Sequence, residues 1–215
     1  KDGAYYAALY LEWVISHKRK VKDLYDKNLN VQIAVDLGMN DTNVILPFQT
    51  YKKQFRVLGQ FEDSGQKISY YTDWIKCQPW FKNLTHVILP HDAEVKELTS
   101  GKKRSEVFEE ELAFDNDGNP TNEGIEQVRQ RISDLWIDET ADYIEYCFLN
   151  YKKEWDEKRD KWRDKPEHNE ASNGGDAIRY MAVGADRGES MIRKGTTALQ
   201  SHGSSYSHNR GGFDV

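Results

Sequence analysis

Apolar residues recur along the chain at two spacings, and the changes between them mark out its elements. Across residues 4–26 they fall at Tyr6, Leu9, Tyr10, Trp13, Val14 and Val21. That spacing predicts an amphipathic helix with His17-Lys18-Arg19-Lys20 near its later turns. The period then changes. Val31-Gln32-Ile33-Ala34-Val35-Asp36 is short, β-branched and followed by Gly38, which predicts a strand stopping in a glycine turn. Apolar runs at 43–48 and 55–61 follow after short connections, the pattern of a three-stranded antiparallel meander. Pro47, late in the second run, suits an edge or a strand end.

Residues 68–80 return to helical spacing, with Tyr71, Trp74 and Ile75 on one face, and lead to a fourth strand, His86-Val87-Ile88-Leu89-Pro90, ending directly at His91-Asp92. A strand reached through a helix can lie parallel to the first by a right-handed crossover. The ends of strands one and four then sit side by side, and each carries an aspartate, Asp36 and Asp92. Beyond them, residues 100–104 read as a basic turn, 107–114 fit helix or strand, and 116–120 form a loop. Helical spacing resumes over 124–136 at Ile125, Val128, Ile132 and Leu135, and again at Tyr143, Ile144, Cys147, Phe148 and Tyr151. Residues 152–165, dense in mixed charge around Trp155 and Trp162, read as a surface helix, hairpin or loop. Gly174-Gly175 lead into a helix whose first turns hold Asp176, with Asn173 or a neighbour as its cap. Past Arg187 the chain is rich in Gly, Ser and His, which predicts a mobile tail. The expected division is a linker helix over 1–30, one α/β domain over 31–186 and a flexible tail over 187–215.

Composition narrows the classes. With 215 residues, 38% of them hydrophobic, the chain can bury one substantial core. No apolar run approaches the roughly 18 residues of a membrane span. The opening KDGAYYAALY lacks a basic-then-apolar leader and an initiator Met, so the expectation is part of a longer polypeptide without a secretory signal. Cys77 and Cys147 belong to no CxxC or Cys/His pattern, which fits reduced thiols rather than zinc or a disulfide. A net charge of −6 argues against a protein that coats DNA. It is compatible with a site that gathers carboxylates around cations.

Two-metal phosphoryl chemistry needs carboxylates converging from different elements, because Mg²⁺ and Mn²⁺ take hard oxygen ligands. Strand ends are rigid platforms for such ligands, and a helix near its start can supply another. Asp36, Asp92 and Asp176 fit that description. Any one aspartate after a strand is an ordinary turn residue, so spacing alone leaves the metal and turn readings both open. Asp41, across the glycine turn from Asp36, and Glu62 or Asp63, ending the third strand, are candidates for the metal's surroundings, against the reading of solvated loop acids. His91 points away from Asp92 by strand alternation, which suits a supporting role better than a ligand's. Lys102, Lys103 and Arg104 are the candidate phosphate contacts, against the reading of a solvated turn.

Five segments, AVDLGMNDTNVI, QFRVLGQFEDSG, THVILPHDAEVKELTSGKKR, YKKEWDEK and GGDAIRYMAVG, resemble the nuclease domain of the large terminase subunit of tailed bacteriophages. They run in order over residues 31–184. The resemblance implies a ribonuclease H-like fold, a mixed central sheet flanked by helices. It also implies a metal-dependent endonuclease that cuts concatemeric double-stranded viral DNA during genome packaging, in the cytoplasm of the infected bacterium. Asp36 of DLG, Asp92 of PHD and Asp176 of GGDAIRY match the family's acids, which hold two Mg²⁺ or Mn²⁺ ions. The implied partners are double-stranded DNA, the portal protein, the small terminase subunit and an ATPase domain upstream in the same polypeptide. This chain contains no GxxxxGK[ST] and so resembles the nuclease half alone. It departs from the family at VFEEELAFDNDG, where a short or displaced fifth strand is expected, and in having few histidines before Asp176. A branched-DNA resolvase or transposase of the same fold and a portal-docking module are the alternative readings.

Overall fold

Alternation along Val31–Asp36 sends Ile33 and Val35 to one side of a sheet and Ala34 to the other, and helices cover both sides. The structure, a computed structural model, describes residues 3–38, 42–94, 101–112, 114–115, 124–187 and 191–193. In chain order it forms α1 (Ala7–Tyr10), continued by a π-helical turn (Leu11–Ile15), then β1 (Lys20–Val21), β2 (Val31–Asp36), β3 (Thr42–Tyr51), β4 (Gln54–Val57) and β5 (Phe61–Ser64). Next come α2 (Ile68–Lys76), β6 (Leu84–Ile88), α3 (Arg104–Leu112), β7 (Phe114–Asp115), α4 (Ile125–Arg131) and β8 (Leu135–Asp138). The chain continues through α5 (Asp142–Asn150), the hairpin β9 (Lys153–Asp156) and β10 (Lys161–Pro166), α6 (Ser172–Arg187) and β11 (Met191–Arg193).

The main sheet runs β1-β8-β4-β3-β2-β6-β11-β7, with β5 also paired to β3. The expected meander β2-β3-β4 is antiparallel, and β6 returns through α2 to lie parallel to β2, with Ala34 opposite Ile88. On one face Ala34, Val44, Leu46, Phe48 and Ile88 pack against α1, α4, α5 and α6. On the other, Ile33, Val35, Ile45 and Val87 pack against Tyr71 and Ile75 of α2 and Phe108 of α3. Each such Val, Leu, Ile or Phe side chain contributes about 1.5–3 kcal/mol on full burial. Among the described residues no helix is long and apolar enough to cross a membrane.

Several elements depart from their predicted form. The first helix stops at Ile15 rather than near residue 26. Lys18 turns left-handed (φ 55°), and Arg19 and Lys20 lead into β1, which pairs with β8. The 55–61 run is split by Leu58-Gly59-Gln60 into β4 and β5. Pro47 is therefore in the middle of β3, not at an edge. Its carbonyl accepts a bond from the Leu58 N–H on the side where β4 has ended and β5 has not begun, so its missing N–H falls at a gap in the partner strands.

The fourth strand ends at Ile88; Pro90 then opens a 3₁₀ turn, His91–Glu94. The 124–136 helix gives way at Leu135 to β8, because Leu135 and Ile137 alternate into the core beside β4. This strand lies between β1 and β4, three strands away from β2. Residues 107–114 are helical up to Leu112, and 152–165 form a hairpin in which Trp155 faces Trp162. The 116–120 loop lies outside the described residues. So does most of the predicted tail, of which Met191–Arg193 joins the sheet as β11 between β6 and β7.

Candidate metal centre

Asp36 is the last residue of β2. It is Cα-paired with Val44 on β3, and Val44 is paired in turn with Glu62 on β5. Directly opposed residues share a face, and Val44 belongs to the face covered by α5 and α6. Asp36 and Glu62 thus stand in one row on that face, about 10 Å apart at strand spacing. Asp63 alternates to the other side, so of the two acids ending the third predicted strand Glu62 is the one on the face of Asp36. Although exposed, Glu62 is partly desolvated by the protein at its inner side. That desolvation raises its carboxyl above the ordinary range, against the opposing pull of its bond with Gln60. Its charge is felt by Tyr143 and Cys147 of α5.

Helix α6 crosses above β2, β3 and β6, and glycines let it lie close. A Cβ at Gly174 would drive into Cys147, and one at Gly175 into the Tyr151 ring. One at Gly184 would come within 2.6 Å of Ile88. The helix begins where Asn169 bonds the backbone N–H groups of Ala171 and Ser172, the first through its side-chain oxygen. Asp176 follows one turn later. The Tyr151 hydroxyl donates to Asp176 Oδ1 at 2.9 Å, and Arg179 Nη2 pairs with the same oxygen at 3.1 Å. Burial raises the Tyr151 hydroxyl far above its usual range, with Asp176 adding to the shift. Burial opposes the charge on Arg179, but Asp176 and the surrounding tyrosines outweigh it and hold the guanidinium above its usual range.

Asp92 lies in the 3₁₀ turn that follows β6, the parallel neighbour of β2. The side chains of Asp92 and His91, and all of Asp41, lie outside the described residues, as does the start of the predicted basic turn. Among the described residues no three His, Cys, Asp or Glu side chains group closely enough to hold a metal ion. Asp36 and Glu62 on this face and Asp176 on α6 are carboxylates, the hard oxygen type that Mg²⁺ and Mn²⁺ take. The site residues therefore suit such ions in donor chemistry.

The basic turn divides. Lys102 and Lys103 are on the surface, paired with Glu110 at 2.6 Å and Glu94 at 2.7 Å. Arg104, expected to contact DNA, is instead buried (7% exposed), and its guanidinium donates to the Leu37 carbonyl at 2.8 Å, just beyond Asp36. The first residue of α3 points inward there, which a run of basic residues does not reveal. Tyr151 and Arg179 were not among the sequence candidates. The only signal for Arg179 is its place three residues after Asp176, where helical geometry brings the two side chains together.

Comparison with solved structures gives likenesses in fold to several large terminases. The large terminase of a thermophilic bacteriophage, in complex with ADP, matches with a TM-score of 0.59 at 17% identity, over 82% of this chain and 44% of that one. The P22 large terminase nuclease domain matches at 0.57 and 17%, over 84% of this chain and 93% of that one. The large terminase nuclease of thermophilic phage G20c, solved with bound magnesium, matches at 0.55 and 10%, over 84% and 98%. No sequence-family profile and no curated protein matches the chain. The chain has the ribonuclease H-like fold of large terminase nuclease domains. It spans less than half the length of the terminase solved with ADP.

Proposed function

Proceeding from that fold, we propose that the chain is the nuclease portion of a large terminase, cutting concatemeric double-stranded viral DNA by metal-dependent phosphodiester hydrolysis. The observation that supports this reading is the parallel pairing of β2, which ends at Asp36, with β6, which leads into the turn holding Asp92, together with the packing of α6, which bears Asp176, on β2. Asp36, Asp92 and Asp176 would hold two Mg²⁺ or Mn²⁺ ions. When bound, the ions supply Lewis-acid activation of water and offset charge on the leaving oxygen.

The chain's own part is to fix and surround that centre. Asp36 sits on a strand bonded on both sides, which limits its motion. Glu62, its carboxyl held above the usual range, suits the uptake of a proton beside the centre, and Asp41 and His91 complete the proposed surroundings. Lys102 and Lys103 would exchange their glutamate partners for DNA phosphates, a small loss because solvent screens exposed ion pairs. An upstream ATPase domain, the portal protein and the small terminase subunit are the proposed partners, and the host cytoplasm the proposed setting.

The test is plasmid cleavage with Mg²⁺, Mn²⁺ or EDTA, beside Asp36→Ala, Asp92→Ala and Asp176→Ala. Metal-dependent cutting that each substitution abolishes, with circular dichroism unchanged, is the expected outcome. Cutting that survives all three would remove these residues from the reaction. Preference for branched over linear duplex would favour a resolvase. An unaltered chain inert both alone and within the full-length protein would favour a docking module.

A further inference from the structure

The geometry points to Tyr151 and Arg179 as positioning residues for Asp176, an inference that rests on reading Asp176 as a metal ligand. Both donors meet the same oxygen, Oδ1, from different supports. Arg179 is on the same helix one turn on, and its side chain is only 8% exposed. Tyr151 closes α5, its N–H donating to the Cys147 carbonyl at 2.9 Å. An aspartate held at one oxygen by two donors has its side-chain torsions set before any cation arrives, so less ordering is left to do on binding.

Tyr151 is itself braced. Its ring fills the space that the absent Gly175 Cβ leaves, stacks on Tyr6 at 5.6 Å and 17°, and leans on Tyr5 at 5.4 Å. The Tyr5 N–H donates to the Tyr151 carbonyl at 3.0 Å, and the Lys153 N–H to the Gly3 carbonyl at 2.9 Å. Residues 3–6 thus pin the backbone and the ring that deliver the hydroxyl. Shape alone would be served equally by phenylalanine at 151. The hydroxyl is the part that reaches Asp176.

The experiment is Mn²⁺ titration by calorimetry on the unaltered chain, Tyr151→Phe, Arg179→Lys, Asp176→Asn and the double variant Tyr151→Phe/Asp176→Asn, with thermal melts on each. Loss of a group that orients a metal ligand typically lowers affinity about 10–100-fold. Tyr151→Phe should show such a loss with its melting temperature little changed, and cleavage should recover as Mn²⁺ is raised. In the double variant Tyr151→Phe should add nothing to Asp176→Asn. Unaltered affinity in Tyr151→Phe beside a clear loss in Asp176→Asn would overturn the positioning role and leave the ligand reading standing. Unaltered affinity in Asp176→Asn would overturn the ligand reading, and this inference with it. If Arg179→Lys unfolds, the Tyr151→Phe arm still decides.

Discussion

At Gly175 a hydrogen in place of a methyl group decides where Tyr151 rests. Gly175→Ala would push a Cβ into that ring, and overpacking of this kind costs about 1–3 kcal/mol. For a chain of this size the melting temperature should fall by roughly 2–10 °C, measurable by circular dichroism. An unchanged melt would mean that the ring moves aside without cost. The two thiols offer a second residue-scale check. Burial pushes Cys147 up to about 12, whereas Cys77 is exposed. The thiolate is the reactive form, and raising the pKa removes it at ordinary pH. At pH 8 a thiol reagent should therefore label Cys77 alone in the folded chain, and both after denaturation. Rapid labelling of Cys147 in the native state would show α5 and α6 parting.

Elements were legible where one period held for their whole length. Val31–Asp36 is a short β-branched run, and a helix stands between the meander and β6, so the parallel pair could be read from the sequence, with Asp36 at the end of one strand and Asp92 in the turn after the other. β8 could not, because Ile125, Val128, Ile132 and Leu135 carry the helical interval into the first residue of the strand. Only Leu135 and Ile137 reveal it, and pairing with β4 overrides the local signal. Pro47 misled for a related reason. Its place in a central strand depends on a gap between two partners, which local sequence does not show. The candidate site was legible as acids and not as their supports. A tyrosine ending an amphipathic helix looks like core, a buried arginine looks like surface, and Arg104 looked like a phosphate contact until its helix turned it toward Leu37.

At the scale of the whole molecule, sequence-distant segments close the sheet. Lys20 of β1 pairs with Ile137 of β8, and Met191 of β11 pairs with Val87 of β6. β4 meets β8 only after the chain has passed through the other side of the sheet. The proposed centre stands on β2 and β6, which are separated by fewer residues than either of the first two pairings. The position of β1 carries a kinetic consequence. Its pairing closes a loop of more than a hundred residues, and the chain entropy of such a closure is lost before its contacts are gained. Refolding followed by stopped-flow tryptophan fluorescence, with Trp136 on β8 as one reporter, should accordingly take milliseconds to seconds. Complete recovery within microseconds would mean that this edge is not part of the rate-limiting step.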